Sequence, residues 1–207
     1  MDDFAKIFLP IYFIVYNVMV FVLPSYIVYK RTGKNPYVFG KSNNLHDMMG
    51  KLSKVIIIIL FAAVIINSFF PELNKWMIPI PYLENGIISF GGISLLMASF
   101  CWTIIAVNQM SNSWRIGLDR ENKTELITTG LFKHSRNPVF FGMAISMIGI
   151  FMMLPNAVTL LSCLLYITFA NIQIELEEEF LVTSFGEEYV NYKTKVKRWI
   201  GQRRIKQ

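Results

Sequence analysis

The sequence predicts an all-α integral membrane protein with five transmembrane helices, the last two forming a tight hairpin, followed by a C-terminal amphipathic cytosolic helix. Three observations predict it. Of the 207 residues, 54% are hydrophobic, a larger share than average soluble domains carry. Those residues fall in long runs, each near the ~20 residues that cross a bilayer core of ~30 Å as a helix. Five crossings also put 18 of the 20 lysines and arginines on one side, leaving only Lys6 and Lys75 on the other, as the positive-inside rule requires of a cytoplasmic C-terminus. The net charge of +6 is thereby explained as topology. No basic amphipathic face or aromatic-interleaved basic patch points to nucleic acid.

The elements follow in order along a single membrane domain, 1–207. Span one covers about 4–29 and carries Pro10 and Pro24, breaks that transmembrane helices tolerate where neighbours satisfy the freed backbone. Span two, about 52–70, stops at Pro71, and a link holding Pro71, Pro79 and Pro81 reads as turns. Span three, about 86–108, opens near Gly91 and Gly92, small residues that let helices approach closely. A polar segment of some thirty residues follows, from Gln109 to Asn137, and loops of that length tend to be functional. Spans four (about 138–154) and five (about 156–174) are separated only at Pro155 and Asn156, and Pro138 stands where a helix's first turn accepts proline. The tail from 175 to 199 is strongly charged with helical periodicity.

Several chemistries are excluded early. The two cysteines, Cys101 and Cys163, lie inside predicted spans without a CxxC neighbour, so neither a zinc site nor a disulfide framework is indicated. Two histidines, His46 and His134, do not make a multi-histidine metal site, and no metal is expected. The N-terminus, MDDFAK, is acidic and is not read as a cleaved signal peptide. The expected location is a multi-pass position, with the C-terminus cytoplasmic, in the inner or plasma membrane of a prokaryote. The oligomeric state is left open.

Two polar blocks bracket the predicted hairpin. Glu175, Glu177, Glu178 and Glu179 follow directly on a span, where carboxylates are costly and mark a site or a partner. They also stand at a helix end that favours cations. Successive helix positions are ~100° apart, so the four cannot all face solvent. At least one should turn inward to a cation or an amine, while Glu175 and Glu179 also fit a simple solvated helix end. Arg136 and Asn137 stand at the other end of the hairpin. Arg136 is open to two readings, a topology anchor or the cationic half of a pocket that also offers an anion. Such a pocket suits a zwitterionic ligand with both a carboxylate and an amine.

The segments LITTGLFKHSRNPVFFG and EEEFLVTSFGEEYVNYKTKVKRW resemble the isoprenylcysteine carboxyl methyltransferase family, with phospholipid methyltransferases as more distant relatives. The resemblance covers about 113–199, and its strength lies in the spacing of the arginine–proline motif, the glutamates and FGEEYxxY. It implies an enzyme that transfers a methyl group from S-adenosylmethionine at the cytosolic membrane face. It further implies cofactor contacts at Thr124, Glu125, Leu126, Ile127, Phe132, Asn137, Pro138, Val139, Phe140 and Glu177, with the stretch around Gly117 as a further candidate. Arg136 and Glu177 would be the catalytic pair. Glu177 would take the cofactor's amine and the Arg136–Asn137 region its carboxylate. Leu126, Ile127 and Phe132 would wall the adenine, or else simply pack in the core. Methyl transfer from a sulfonium is an in-line displacement that depends on positioning and desolvation.

Four positions depart from the eukaryotic prenylcysteine enzymes. Asn137 replaces a histidine, Phe132 and Phe140 replace tyrosines, and Gln173 replaces an arginine thought to engage the substrate carboxylate. A neutral amide is a poor carboxylate clamp. Gln173 is retained as a substrate-binding residue, and the acceptor is read as isoprenylcysteine carboxylate-like or another lipid entering from the bilayer, where extraction into water is unfavourable. The rivals are a membrane reductase of the sterol reductase type using NADPH, whose 2′-phosphate would want basic residues where glutamates stand, and a non-catalytic lipid-binding protein. Tyr189, Tyr192, Lys195 and Arg198 share a helical spacing that suits an interfacial helix or closure over the cofactor. His134 is read as structural, and Trp76, Trp102, Trp114 and Trp199 as belt residues near span ends.

Overall fold

The computed structural model describes residues 2–38, 45–117 and 125–202. Among these the chain is helical, with seven α-helices, one π-helical turn, four short 3-10 helices and only isolated β-bridges. The helices are α1 (Asp2–Asn17), α2 (Leu23–Thr32), α3 (Leu45–Phe69), α4 (Gly86–Met110), α5 (Pro138–Met153), α6 (Ala157–Phe185) and α7 (Glu187–Lys195). Among the described residues, four helical stretches are long and apolar enough to cross a membrane: Asp3–Thr32, Leu45–Phe69, Gly86–Ser113 and Ala157–Phe185. The apolar α5 has 16 residues, about 24 Å at 1.5 Å per residue, and falls short of that length.

The first span departs from expectation. Pro10 sits inside α1 without breaking it. The irregularity is a π-helical turn, Val18–Val22, just ahead of Pro24, in which the Leu23 N–H reaches back to the Val18 carbonyl. Proline has no N–H for the preceding turn and its ring crowds the carbonyl four residues back, and the wider π turn absorbs that conflict.

Helices α4 and α5 lie close because small residues face each other. A Cβ on Gly92 would stand 3.0 Å from the Gly149 carbonyl and 2.8 Å from Met153 Cγ. Direct hydrogen bonds fix the register, with Ser99 Oγ donating to the Gly142 carbonyl at 2.8 Å and Trp102 Nε1 to the Pro138 carbonyl at 2.9 Å. Helix α1 joins this pair through Tyr12, whose hydroxyl lies 2.7 Å from Ser146 Oγ, and Tyr16, which donates to Thr103 Oγ1 at 3.1 Å. Leu9, Val20, Leu60, Val64 and Leu96 fill the space between these helices and α3.

Between α5 and α6 the Asn156 side chain accepts from the Thr159 N–H at 2.9 Å, and Thr159 Oγ1 accepts from the Asn156 N–H in return. This capping box satisfies donors that would otherwise be orphaned at the helix start. The loop before α4 closes on the same turn, since Ile80 N donates to the Pro155 carbonyl and Ala157 N to the Ile78 carbonyl.

The tail differs from the single helix expected over 175–199. Nothing between Ile174 and Gly186 stops a helix, so α6 continues through all four glutamates to Phe185. The break comes at Gly186, with φ of 54°, a backbone region that glycine enters without steric cost. The remainder is the short α7 and a turn closed by the Val196–Gln202 bridge.

Candidate active site

The start of α5 and the polar end of α6 meet at a cavity of about 390 Å³. The loop ahead of α5 reaches it through a 3-10 turn, Gly130–Lys133, entered at Gly130 with φ of 61° and tied by the Leu131 N–H to Gln109 Oε1 at 2.8 Å. Ser135 Oγ then accepts from the Asn137 N–H at 3.0 Å, and Pro138 begins α5. The result is a tight turn that presents Arg136, Asn137, Pro138, Val139 and Phe140 along one wall.

The opposite wall comes from Tyr166, Gln173 and Glu177 of α6. Gln173 and Glu177 are one turn apart, and the Gln173 amide donates to Glu177 Oε1 at 3.4 Å. Gln173 is only 7% exposed, and its own Oε1 has no hydrogen-bond partner among the described residues. A buried acceptor left unpaired is unfavourable by about 1–3 kcal/mol, and its position on the cavity wall suits a ligand donor. Phe21 and Val22 of the π turn, Lys54 and Ile57 of α3, and Trp114, Arg115 and Gly117 complete the surround. Its walls are therefore apolar over most of their extent, with a few cationic and acceptor groups converging from different elements.

Of the residues singled out from sequence, Phe132, Arg136, Asn137, Pro138, Val139, Phe140, Gln173 and Glu177 line this one cavity. Glu125 and Ile127 line a neighbouring cavity of about 350 Å³ with Lys34 and Asn35, and both cavities share Met110, Trp114 and Arg115 as walls. Leu126, read as an adenine wall or as core packing, follows the second reading and packs on Tyr189, Tyr192 and Val196. The backbone on either side of it points its neighbours to the other cavity, which leaves Leu126 facing α7. Thr124 lies outside the described residues.

The glutamates divide their work. Glu175 pairs with Arg198. Glu178, 1% exposed, accepts from Arg136 Nε at 3.0 Å and Nη2 at 2.6 Å, and Arg198 and Lys193 also reach it. The inward-facing carboxylate that meets a cation is thus Glu178, while Glu177 faces the cavity. The Glu178 bond holds the Arg198 guanidinium above its ordinary pKa, so that it stays a cation. Sequence spacing gave the angle between neighbouring glutamates and left open which one turned inward.

Helix α7 also sits differently from an interfacial helix. Tyr189 and Tyr192 are buried against the protein, and Tyr192 donates its hydroxyl to the Phe132 carbonyl at 2.6 Å. Burial pushes the Tyr192 phenol above its usual range, which keeps it a donor. Trp114, expected in a belt, is buried, with its indole N–H donating to Ser25 Oγ at 3.3 Å. Trp76 is largely exposed. His134 contributes its backbone, its carbonyl accepting from the Gly201 N–H at 2.6 Å.

Residues 87–188 match the family model described as phospholipid methyltransferase. This stretch runs from α4 to α7 and contains most of the cavity's polar groups. A protein-S-isoprenylcysteine O-methyltransferase of Schizosaccharomyces pombe is 38% identical over 79 residues, which is 37% of this chain and 34% of that protein. The chain therefore spans about a third of the length of that curated relative.

Proposed function

From the match of residues 87–188 to the family model described as phospholipid methyltransferase, we propose that this protein is an integral membrane methyltransferase that uses S-adenosylmethionine to methylate a lipophilic acceptor. One observation carries the reading: the Asn137–Phe140 turn and the Gln173–Glu177 pair, some forty residues apart, share one cavity. Its volume of about 390 Å³ falls in the range of small-molecule sites, about 300–1,000 Å³.

The donor set fits S-adenosylmethionine, which when bound supplies a methyl group on a sulfonium. Glu177 offers a carboxylate to an amine, and the first turn of α5 offers backbone N–H groups and a positive helix end to a carboxylate. Phe132 and Phe140 offer apolar walls. With Arg136 turned to Glu178, recognition of the carboxylate falls to that helix end and to Lys54 or Arg115 across the cavity. The apolar surround excludes water, which strengthens these interactions.

The acceptor's head group is read from Gln173. Its amide nitrogen is spent on Glu177 while its oxygen has no partner among the described residues, so that oxygen awaits a hydrogen-bond donor. A carboxylate head group brings none, whereas an amine brings an N–H to it and leaves Glu177 to the cofactor. The proposed acceptor is accordingly a lipid with a hydrogen-bond-donating head, an amine before a carboxylate.

The membrane arrangement belongs to the same reading. The apolar α5 is proposed as a fifth crossing, accommodated by local thinning of the bilayer. The site then lies at the cytosolic face with the 18 basic residues. Titration calorimetry of the detergent-solubilised protein tests the cofactor half. Saturable binding of S-adenosylmethionine that weakens in Glu177→Ala is expected, and equal binding by both proteins would refute the assignment.

A further inference from the structure

We infer that Glu178 is a positioning residue for this site, and that Arg136 acts through it, holding the Asn137–Phe140 turn in place rather than binding the methyl donor. The inference rests on the function proposed above. It begins with the hydrogen-bond inventory of Arg136, a guanidinium with five N–H donors. Nε and Nη2 donate to Glu178 Oε1, and Nη1 donates to the carbonyls of Val196 at 2.6 Å and Lys193 at 3.3 Å. Every nitrogen is engaged on the side away from the cavity, although Arg136 borders it.

Glu178 is the centre of this arrangement. Its two oxygens meet Arg136 from the turn before α5, Lys193 from α7 and Arg198 from the segment after it. Glu177 and Glu178 are consecutive on α6, ~100° apart around the helix. One carboxylate thus faces the ligand space while the next fixes the wall opposite.

The brace continues through the backbone. Arg136 N donates to the Lys197 carbonyl at 3.1 Å, and Asn137 Nδ2 donates to the Arg198 carbonyl at 3.2 Å. Without Glu178, three cations would face one another with only Glu175 nearby, and the buried Arg136 would lose its anion. Its freed guanidinium would draw the adjoining Asn137 and Pro138 from their places. A buried ion pair is in itself weak grounds for stability, since apolar replacements of both partners are often neutral. That leaves positioning of the cavity wall as the role this pair serves.

Three full-length variants in detergent test this: Glu178→Gln, Glu178→Asp, and the double replacement Arg136→Met with Glu178→Leu. Hydrogen exchange is read first, because it needs no donor. The amides of Arg136 and Gly201 should exchange about tenfold faster or more in Glu178→Gln, with α4 and α5 unchanged. Unchanged exchange at both amides would overturn the inference whether or not the protein binds S-adenosylmethionine. Donor affinity is read next. The double variant should keep its melting temperature within a few degrees, yet bind S-adenosylmethionine about tenfold to a hundredfold more weakly. Glu178→Asp should fall between it and wild type. A double variant of wild-type stability and wild-type affinity would overturn the inference. A wild type that binds no donor, with faster exchange in Glu178→Gln, would refute the proposed function and leave the brace standing.

Discussion

Gln173 donates its side-chain amide to Glu177 one helical turn ahead, at 3.4 Å, and keeps its own carbonyl oxygen without a partner among the described residues. Both residues line the cavity, and the proposed preference for an amine-headed acceptor rests on that unpaired oxygen. Replacing Gln173 with arginine should reverse that preference. Gln173→Arg should lower methyl transfer to an amine-headed lipid about tenfold or more, and raise transfer to a carboxylate-headed one, because a guanidinium clamps carboxylates. Parallel assays with the two acceptor types read the switch. An unchanged ratio between them would remove Gln173 from acceptor recognition.

The choice of cofactor separates the methyltransferase from a reductase. Ligand present at a hundred times its dissociation constant stabilises the folded state by about 2.7 kcal/mol. In a thermal-shift panel, S-adenosylmethionine should raise the melting temperature and NADPH should leave it unchanged. A shift by NADPH alone would favour the reductase reading.

Tyr192 ties α7 to the cavity wall through the Phe132 carbonyl. Tyr192→Phe removes that hydroxyl and leaves a buried carbonyl short of a donor, which should lower stability by about 1–3 kcal/mol. Denaturation in detergent measures the loss. Wild-type stability would show that the bond is replaced by water.

The close approach of α4 and α5 depends on Gly92, where a Cβ would press on the Gly149 carbonyl and Met153. Gly92→Leu should be destabilising by about 1–3 kcal/mol through overpacking. It should also weaken donor binding indirectly, because α5 carries the Asn137–Phe140 turn. Retained stability would mean that the helices separate without consequence for the fold.

Much of this architecture was legible before the structure. Hydropathy located the helices, and the paired polar blocks located the cavity, because two apolar runs of similar length must return Glu177 close to Asn137. Small residues near Gly92 marked a tight helix contact. What remained hidden depends on rotation rather than position. Periodicity places Glu177 and Glu178 ~100° apart but does not say which of them faces the ligand. The spacing of Tyr189 and Tyr192 describes an amphipathic face equally suited to lipid or to protein, and here it faces protein. The π turn had a local sign in Pro24, yet proline alone does not distinguish a kink from a widened turn. Leu126 followed the second of its two readings, packing on Tyr189, Tyr192 and Val196 more than sixty residues away, a choice that local spacing does not decide.

The most direct measurement incubates membranes containing the protein with methyl-labelled S-adenosylmethionine, then extracts the lipids for mass spectrometry. A labelled lipid is expected with wild type, and its loss with Glu177→Ala. Equal labelling by the two proteins, or no labelled lipid from a folded wild type supplied with the membrane's own lipids, would contradict methyl transfer at this cavity.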